Sequence, residues 1–236
     1  MGKLKVPSLQ HLARNLSPDP LRVAKDLIAL AKSSPTFSYQ PLHAATRDLL
    51  LYQIPYEQIE RGLARESRQH VREKYLSALP LINSYFGGVR ADFVHSVVPR
   101  YYPIGRDLVV PFSPPLIYGV AGEVFLPWFS FWLSAPLAGE RLSFFATIVE
   151  DVISQDPDLD FANFRILDFS APSRGEARTL EVINSCDVQK ISPERLEQLL
   201  GVFVEGYQFA EQHLSGMEEK KPGRPAADDS QLNLFD

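Results

Sequence analysis

The spacing of apolar residues changes period near residue 90, and that change limits what this chain can fold into. Before it, the spacing is helical. Asp19 followed by Pro20 starts a helix, because the carboxylate can cap free N–H groups and proline has no N–H to leave unpaired. Ala24, Leu27, Ile28 and Ala31 then recur at i, i+3, i+4 and i+7 until Ser33-Ser34-Pro35 stops the run. A second helix is expected over residues 42–52 and a third from Pro55. Its continuation over residues 66–86 places Val71, Leu76, Leu79 and Ile82 on one side, with Pro80 expected to kink or break it and Gly87-Gly88 to close it.

From residue 91 the pattern turns to short β-branched and aromatic runs broken by Pro and Gly. Residues 92–98, 107–112 and 116–118 predict strands and tight turns. Residues 123–133 (EVFLPWFSFWL) predict a segment at the centre of a sheet or under a helix. Leu142, Phe145, Ile148, Val149 and Val152 return to helical spacing. Residues 164–169 and 179–184 read as two more strands, joined by a turn-rich stretch. Ser192-Pro193 opens the last helix, with Leu196, Leu199, Phe203, Tyr207 and Ala210 as its core stripe and Gly216 as its end. The order predicts an α+β fold: a helical N-terminal unit over residues 1–88, then a mixed or antiparallel sheet packed with two amphipathic helices over 89–216. Residues 217–236 are polar, charged and rich in Pro, Gly and Ala, and are expected to form a disordered tail.

Composition narrows the function. Lys and Arg number 24 against 29 Asp and Glu, a net charge of -5, so overall positive charge cannot drive non-specific binding to a polyanion. A single cysteine, Cys186, excludes a disulfide scaffold and a cysteine-only zinc site and suits a reducing cytoplasm. Residues 1–20 are too polar for a secretory signal. The most apolar stretch, 124–139, falls short of the ~20 residues of a spanning helix and is interrupted by Pro127 and Pro136, so a buried strand pair is expected there and no membrane partner.

One feature of the tail departs from its polar character. Leu232, Leu234 and Phe235 are large apolar groups on a segment with no core to bury them, as a peptide that docks into another protein's pocket requires. Gln231-Leu232-Asn233-Leu234-Phe235 resembles the Q-L-x-L-F pentapeptide by which bacterial polymerases, mismatch-repair and replication-control proteins bind the β sliding clamp of DNA polymerase III. The resemblance spans five of 236 residues, a pattern that arises by chance about once in a few hundred chains of this length. It implies that Leu234 and Phe235 plug an apolar pocket on the ring, that Gln231 orients the peptide through its amide, and that Leu232 packs in a neighbouring groove. It further implies a location at the nucleoid or replisome, with DNA reached indirectly through the ring.

Upstream, Lys220, Lys221 and Arg224 surround a Gly-Arg-Pro core similar to an AT-hook, which makes them candidate DNA contacts. Ala226-Ala227-Asp228-Asp229 follows where further basic residues are usual, so an extended linker is the better account. Asp168 and Glu181 imitate the carboxylates of a PD-(D/E)xK nuclease, but Ile183 stands where the lysine belongs, and the one E-x-R, Glu176 to Arg178, falls in the connecting loop. The five histidines (His11, His43, His70, His95 and His213) show no metal-ligand spacing and are expected at the surface or in local bonds. Arg61, Arg65, Arg68, Arg72 and Lys74 alternate with Glu60, Glu66 and Glu73, which favours a solvated face over a DNA-reading helix.

The sequence therefore predicts no catalytic residue, no metal and no cofactor. It predicts a non-enzymatic clamp ligand that competes with polymerase and repair partners and inhibits replication, similar to clamp-targeting toxins of toxin–antitoxin systems. An antitoxin or proteolytic adaptor is a further expected partner. The alternatives are a clamp-recruited repair or nuclease-like factor and a helix-turn-helix regulator.

Overall fold

The computed structural model describes residues 4–32, 37–133, 137–173 and 175–219. They form an α+β fold around a five-stranded mixed sheet. In chain order come α1 (Leu9–Arg14), α2 (Pro20–Lys32), α3 (Gln40–Arg47), a π-helical turn (Asp48–Tyr52), α4 (Tyr56–Leu63) and α5 (Gln69–Phe86). The strands β1 (Phe93–His95), β2 (Arg100–Gly105), β3 (Leu108–Phe112), β4 (Ile117–Val120) and β5 (Glu123–Ser130) follow. Then come α6 (Glu140–Ser154), β6 (Asn163–Asp168), β7 (Glu181–Asn184) and α7 (Pro193–Glu219). The sheet order is β1-β4-β5-β6-β7, and β2 and β3 make a separate hairpin. Among the described residues only the β5–β6 pair is parallel, and α6 makes the crossover that a parallel pair requires.

β5 occupies the middle of the sheet, where both faces are covered, and this explains its almost unbroken apolar sequence. Its alternation sorts the core into two layers. Leu126 and Trp128 face a cluster with Phe112, Phe144, Phe145, Phe164 and Ile166, closed by α1, α2, α6 and α7. Phe125, Phe129 and Phe131 face the other cluster, with Leu167, Phe169 and the buried sides of α3, α4 and α5. The N-terminal helices are thus shared between opposite faces of the sheet.

Local rules hold at most boundaries. The Asp19 carboxylate accepts the N–H of Leu21 at 2.9 Å and caps α2. Ser192 caps α7 through the N–H of Arg195 at 3.3 Å. Ala121 and Gly122, both at positive φ (52° and 83°), make the two-residue turn between β4 and β5 that matches strand twist.

Several expectations need correction. The second helix begins at Gln40, two residues earlier than expected, and widens into the π turn. It ends at Gln53, whose φ is 52° and whose side-chain amide donates to the carbonyls of Leu49 (2.7 Å) and Val89 (2.9 Å). α5 runs through Pro80 without a break, because the exposed proline lies on the solvent side while Ala78, Leu79 and Ile82 stay in the core. Of the strand pair expected in 124–139, the described residues form one strand, β5, which ends at Ser130. α7 continues past Gly216 to Glu219. α1, only six residues long, and β2, which contains Pro103, were not among the expected elements. Among the described residues no helix is long and apolar enough to cross a membrane.

Candidate functional site

The residues on which the sequence reading placed clamp binding, Gln231, Leu232, Leu234 and Phe235, and the candidate DNA contacts Lys220, Lys221 and Arg224, lie outside the described residues. The remaining candidates can be located. Asp168 and Glu181 are cross-strand partners on β6 and β7. Asp168 is buried, and its carboxylate accepts from the Ser170 N–H at 3.0 Å and the Ser170 hydroxyl at 3.2 Å, while Glu181 faces solvent. Among the described residues no group of three or more His, Cys, Asp or Glu side chains is placed to hold a metal.

The charged run of α4 and α5 is engaged locally. Arg61 donates to the Glu57 carbonyl at 3.1 Å, Arg68 pairs with Glu66 at 3.0 Å, and Arg72 donates to the Glu66 carbonyl at 2.9 Å. The Arg68 and Arg72 bonds wrap the turn between the helices, and the Arg61 bond lies within α4. None of the three is an i,i+4 ion pair.

His43 departs furthest from expectation. It sits half-buried on α3, with its ring 5.3 Å from that of Phe129 and 6.0 Å from that of Phe131. Its Nδ1 has no hydrogen-bond partner among the described residues. Burial pushes its pKa down to about 4, so the imidazole is neutral at pH 7. The other histidines behave as expected: His11 bonds Ser8 at 2.8 Å, and His70, His95 and His213 are exposed.

His43 lines a cavity of about 150 Å³ where β5 leaves the sheet. Its other walls are Gln10 of α1, Tyr39 just before α3, Ser113 and Pro115 after β3, and Trp128, Phe129, Phe131 and Trp132. This position follows from topology. The carboxyl ends of the parallel pair β5–β6 point here, which is where open sheets with a crossover helix place a crevice. Alternation along β5 sends Trp128 and Phe129 to opposite faces, and only at the strand's end can both border one space.

The framework around the cavity is tied down. The Tyr39 hydroxyl donates to the Phe131 carbonyl at 3.0 Å. Arg178 donates to the carbonyls of Trp132 (3.1 Å) and Phe169 (2.6 Å) and to the Ser77 hydroxyl (3.1 Å), which joins the ends of β5 and β6 to α5. Burial raises the Tyr39 pKa, and the Arg178 guanidinium opposes that rise.

Inside this framework polar atoms are left over. The Trp128 indole N–H and the Ser130 hydroxyl, both buried, join His43 Nδ1 in having no hydrogen-bond partner among the described residues. A buried polar group left unpaired costs about 1–3 kcal/mol. No carboxylate or thiol lines the cavity among the described residues; its polar side chains are Gln10, Tyr39, His43, Ser113 and the indoles of Trp128 and Trp132. Sequence reading missed Trp128, Ser130 and Arg178; the one available signal was the aromatic density of residues 123–133.

No protein-family model matches the chain, and no curated protein matches it.

Proposed function

We propose that this protein is a ligand of the bacterial β sliding clamp, bound through Gln231-Leu232-Asn233-Leu234-Phe235, and that it inhibits DNA replication by occupying the pocket that polymerases and repair proteins need. The observation that carries the reading is the pentapeptide itself, with its Leu–Phe pair placed after a polar stretch. Burying Leu234 and Phe235 in an apolar pocket is worth roughly 1.5–3 kcal/mol each, and Gln231 adds direction through an amide that both donates and accepts. After the ordering cost, such a peptide binds in the micromolar range.

In this reading α7 is the anchor from which the peptide is presented. α7 packs along α2, and Gly206 lets the two backbones approach closely: a Cβ there would lie 2.6 Å from Cβ of Val23. Twelve residue steps separate Glu219 from Gln231, a reach of at most about 40 Å from the end of that helix. Competition then requires nothing of the folded body except to fill space beside the ring.

Controlled expression in a bacterial host tests the proposal. Wild-type protein arrests incorporation of labelled thymidine, and the double variant Leu234→Ala, Phe235→Ala restores it. Arrest that persists in the double variant would rule the proposal out.

A further inference from the structure

The outer layer formed by α2, α7 and the β2–β3 hairpin carries an inference that does not rest on the tail. Residues two apart on a helix are separated by about 200° and so point to nearly opposite sides. On α7, Gly206 abuts Val23 of α2, whereas Val204 lines a groove of about 800 Å³ against the hairpin. The order across the layer is therefore α2, α7, groove, hairpin. On α2, Val23 turns toward α7, so Leu21 turns away from it and stands 65 % exposed. The two helices run in the same direction: Ser17 and Pro18, just before α2, border one pocket with Arg195 and Leu199, and Val23 meets Gly206 further along α7.

Charge is segregated between the helices. The solvent face of α2 carries Arg22, Lys25 and Lys32, and its one acid, Asp26, is half-buried. The solvent face of α7 carries Glu194, Glu197, Glu205 and Glu211. None of these seven exposed groups is in an ion pair among the described residues. Arg195, the only arginine or lysine of α7, is already held by Glu140 at 2.7 Å.

We propose that this layer is a self-association surface. Two copies stack face to face about a two-fold axis parallel to α2 and α7, which lays α2 of each copy on α7 of the other. An axis in that direction preserves height along the helices. Arg22, next to Val23 and so level with Gly206, then meets Glu205 of the second copy, and Lys25, one turn on, approaches its Glu211. Leu21, on the side of α2 away from its own α7, falls over the second copy's groove, where Ile104, Leu196, Leu200 and Val204 supply apolar walls. Each contact occurs twice, as a two-fold interface requires.

Other occupants match one half of the layer only. A polyanion drawn to α2 would meet the carboxylates of α7 beside it, and a basic peptide drawn to α7 would meet the cations of α2. A copy of this chain presents both signs in the order that two-fold stacking superposes. Two pairs of helix faces about 20 Å long bury on the order of 400 Å² per copy, half of a standard stable interface. The dimer is accordingly weak and sensitive to salt.

Sedimentation of the full chain between about 10 μM and 1 mM should show a monomer–dimer equilibrium, weakened about fivefold or more as sodium chloride rises from about 0.05 to 0.5 M. Leu21→Ser should weaken it by about the same factor. Arg22→Glu with Lys25→Glu sets like charges against each other at both contacts and should weaken dimerisation about tenfold, and so should Glu205→Lys with Glu211→Lys. All four side chains are exposed, so both variants should keep the wild-type melting temperature. Mixed in equal amounts the two variants should associate again, because every contact then joins opposite charges; damage to the fold could not be reversed by mixing. The proposal is overturned if the chain stays monomeric up to about 1 mM or if its association is indifferent to salt. It is also overturned if Leu21→Ser changes nothing or if mixing the two variants restores nothing.

Discussion

Tyr39 holds Phe131 in two ways: its hydroxyl donates to the Phe131 carbonyl at 3.0 Å, and the two rings stack with centroids 4.8 Å apart. A residue at the start of α3 thereby fixes the point at which the central strand leaves the sheet. Removing only the hydroxyl separates the two contacts. Tyr39→Phe keeps the stack, loses the hydrogen bond and should cost about 0.5–1.5 kcal/mol by urea unfolding at unchanged slope. An unaltered midpoint would show that the hydroxyl contributes nothing to fixing the strand end.

The neutral His43 makes stability depend on pH. Its folded pKa of about 4 lies below the ordinary 6.5, so between those values the unfolded chain binds a proton that the folded chain does not. Stability contributed by the neutral form is full above pH 6.5 and falls as pH drops toward 4, by up to about 3 kcal/mol. His11 is also lowered by burial, so the comparison must be with His43→Phe. That variant should lose clearly less stability than wild type between pH 7 and pH 5, read as the change in urea midpoint. Parallel losses in the two proteins would place His43 outside the effect.

Two glycines of α7 should respond in opposite directions. At Gly206 a Cβ would meet Val23 Cβ at 2.6 Å and the Pro20 carbonyl at 2.7 Å, so Gly206→Ala forces α2 and α7 apart and should cost about 1–3 kcal/mol. At Gly201 nothing lies within 4 Å of the added carbon, and Gly201→Ala should stabilise the helix by about 0.5–1 kcal/mol. Thermal unfolding of the two variants checks the sign of each.

Asp168 serves the turn after β6. With both carboxylate oxygens bonded to Ser170, Asp168→Ala should destabilise the protein by about 1–3 kcal/mol. Millimolar magnesium should leave the wild-type melting temperature where it is, because a cation bound at Asp168 and Glu181 would raise it by mass action. A magnesium-dependent rise lost in Asp168→Ala would instead restore the nuclease-like reading.

Much of this architecture was written in local patterns. The Asp19-Pro20 and Ser192-Pro193 starts, the stripes of α2 and α6 and the aromatic density of β5 each depend on neighbouring residues, and each appears where those residues predict it. What stayed hidden depends on distance in sequence. The residues that surround Trp128 and His43 come from segments far apart along the chain, and Arg178 looks like an ordinary loop arginine until its bonds to Trp132 and Phe169 are seen. At Pro80 the helix stays unbroken for a similar reason: a propensity argument counts the lost N–H, whereas the packing of Ala78, Leu79 and Ile82 holds α5 continuous.

Calorimetric titration of purified β sliding clamp with the full chain tests the central claim most directly. Saturable binding with a dissociation constant on the order of micromolar is expected, matched by the peptide of residues 228–236 and abolished by Leu234→Ala with Phe235→Ala. No binding of the full chain, or binding that survives the double substitution undiminished, would contradict it.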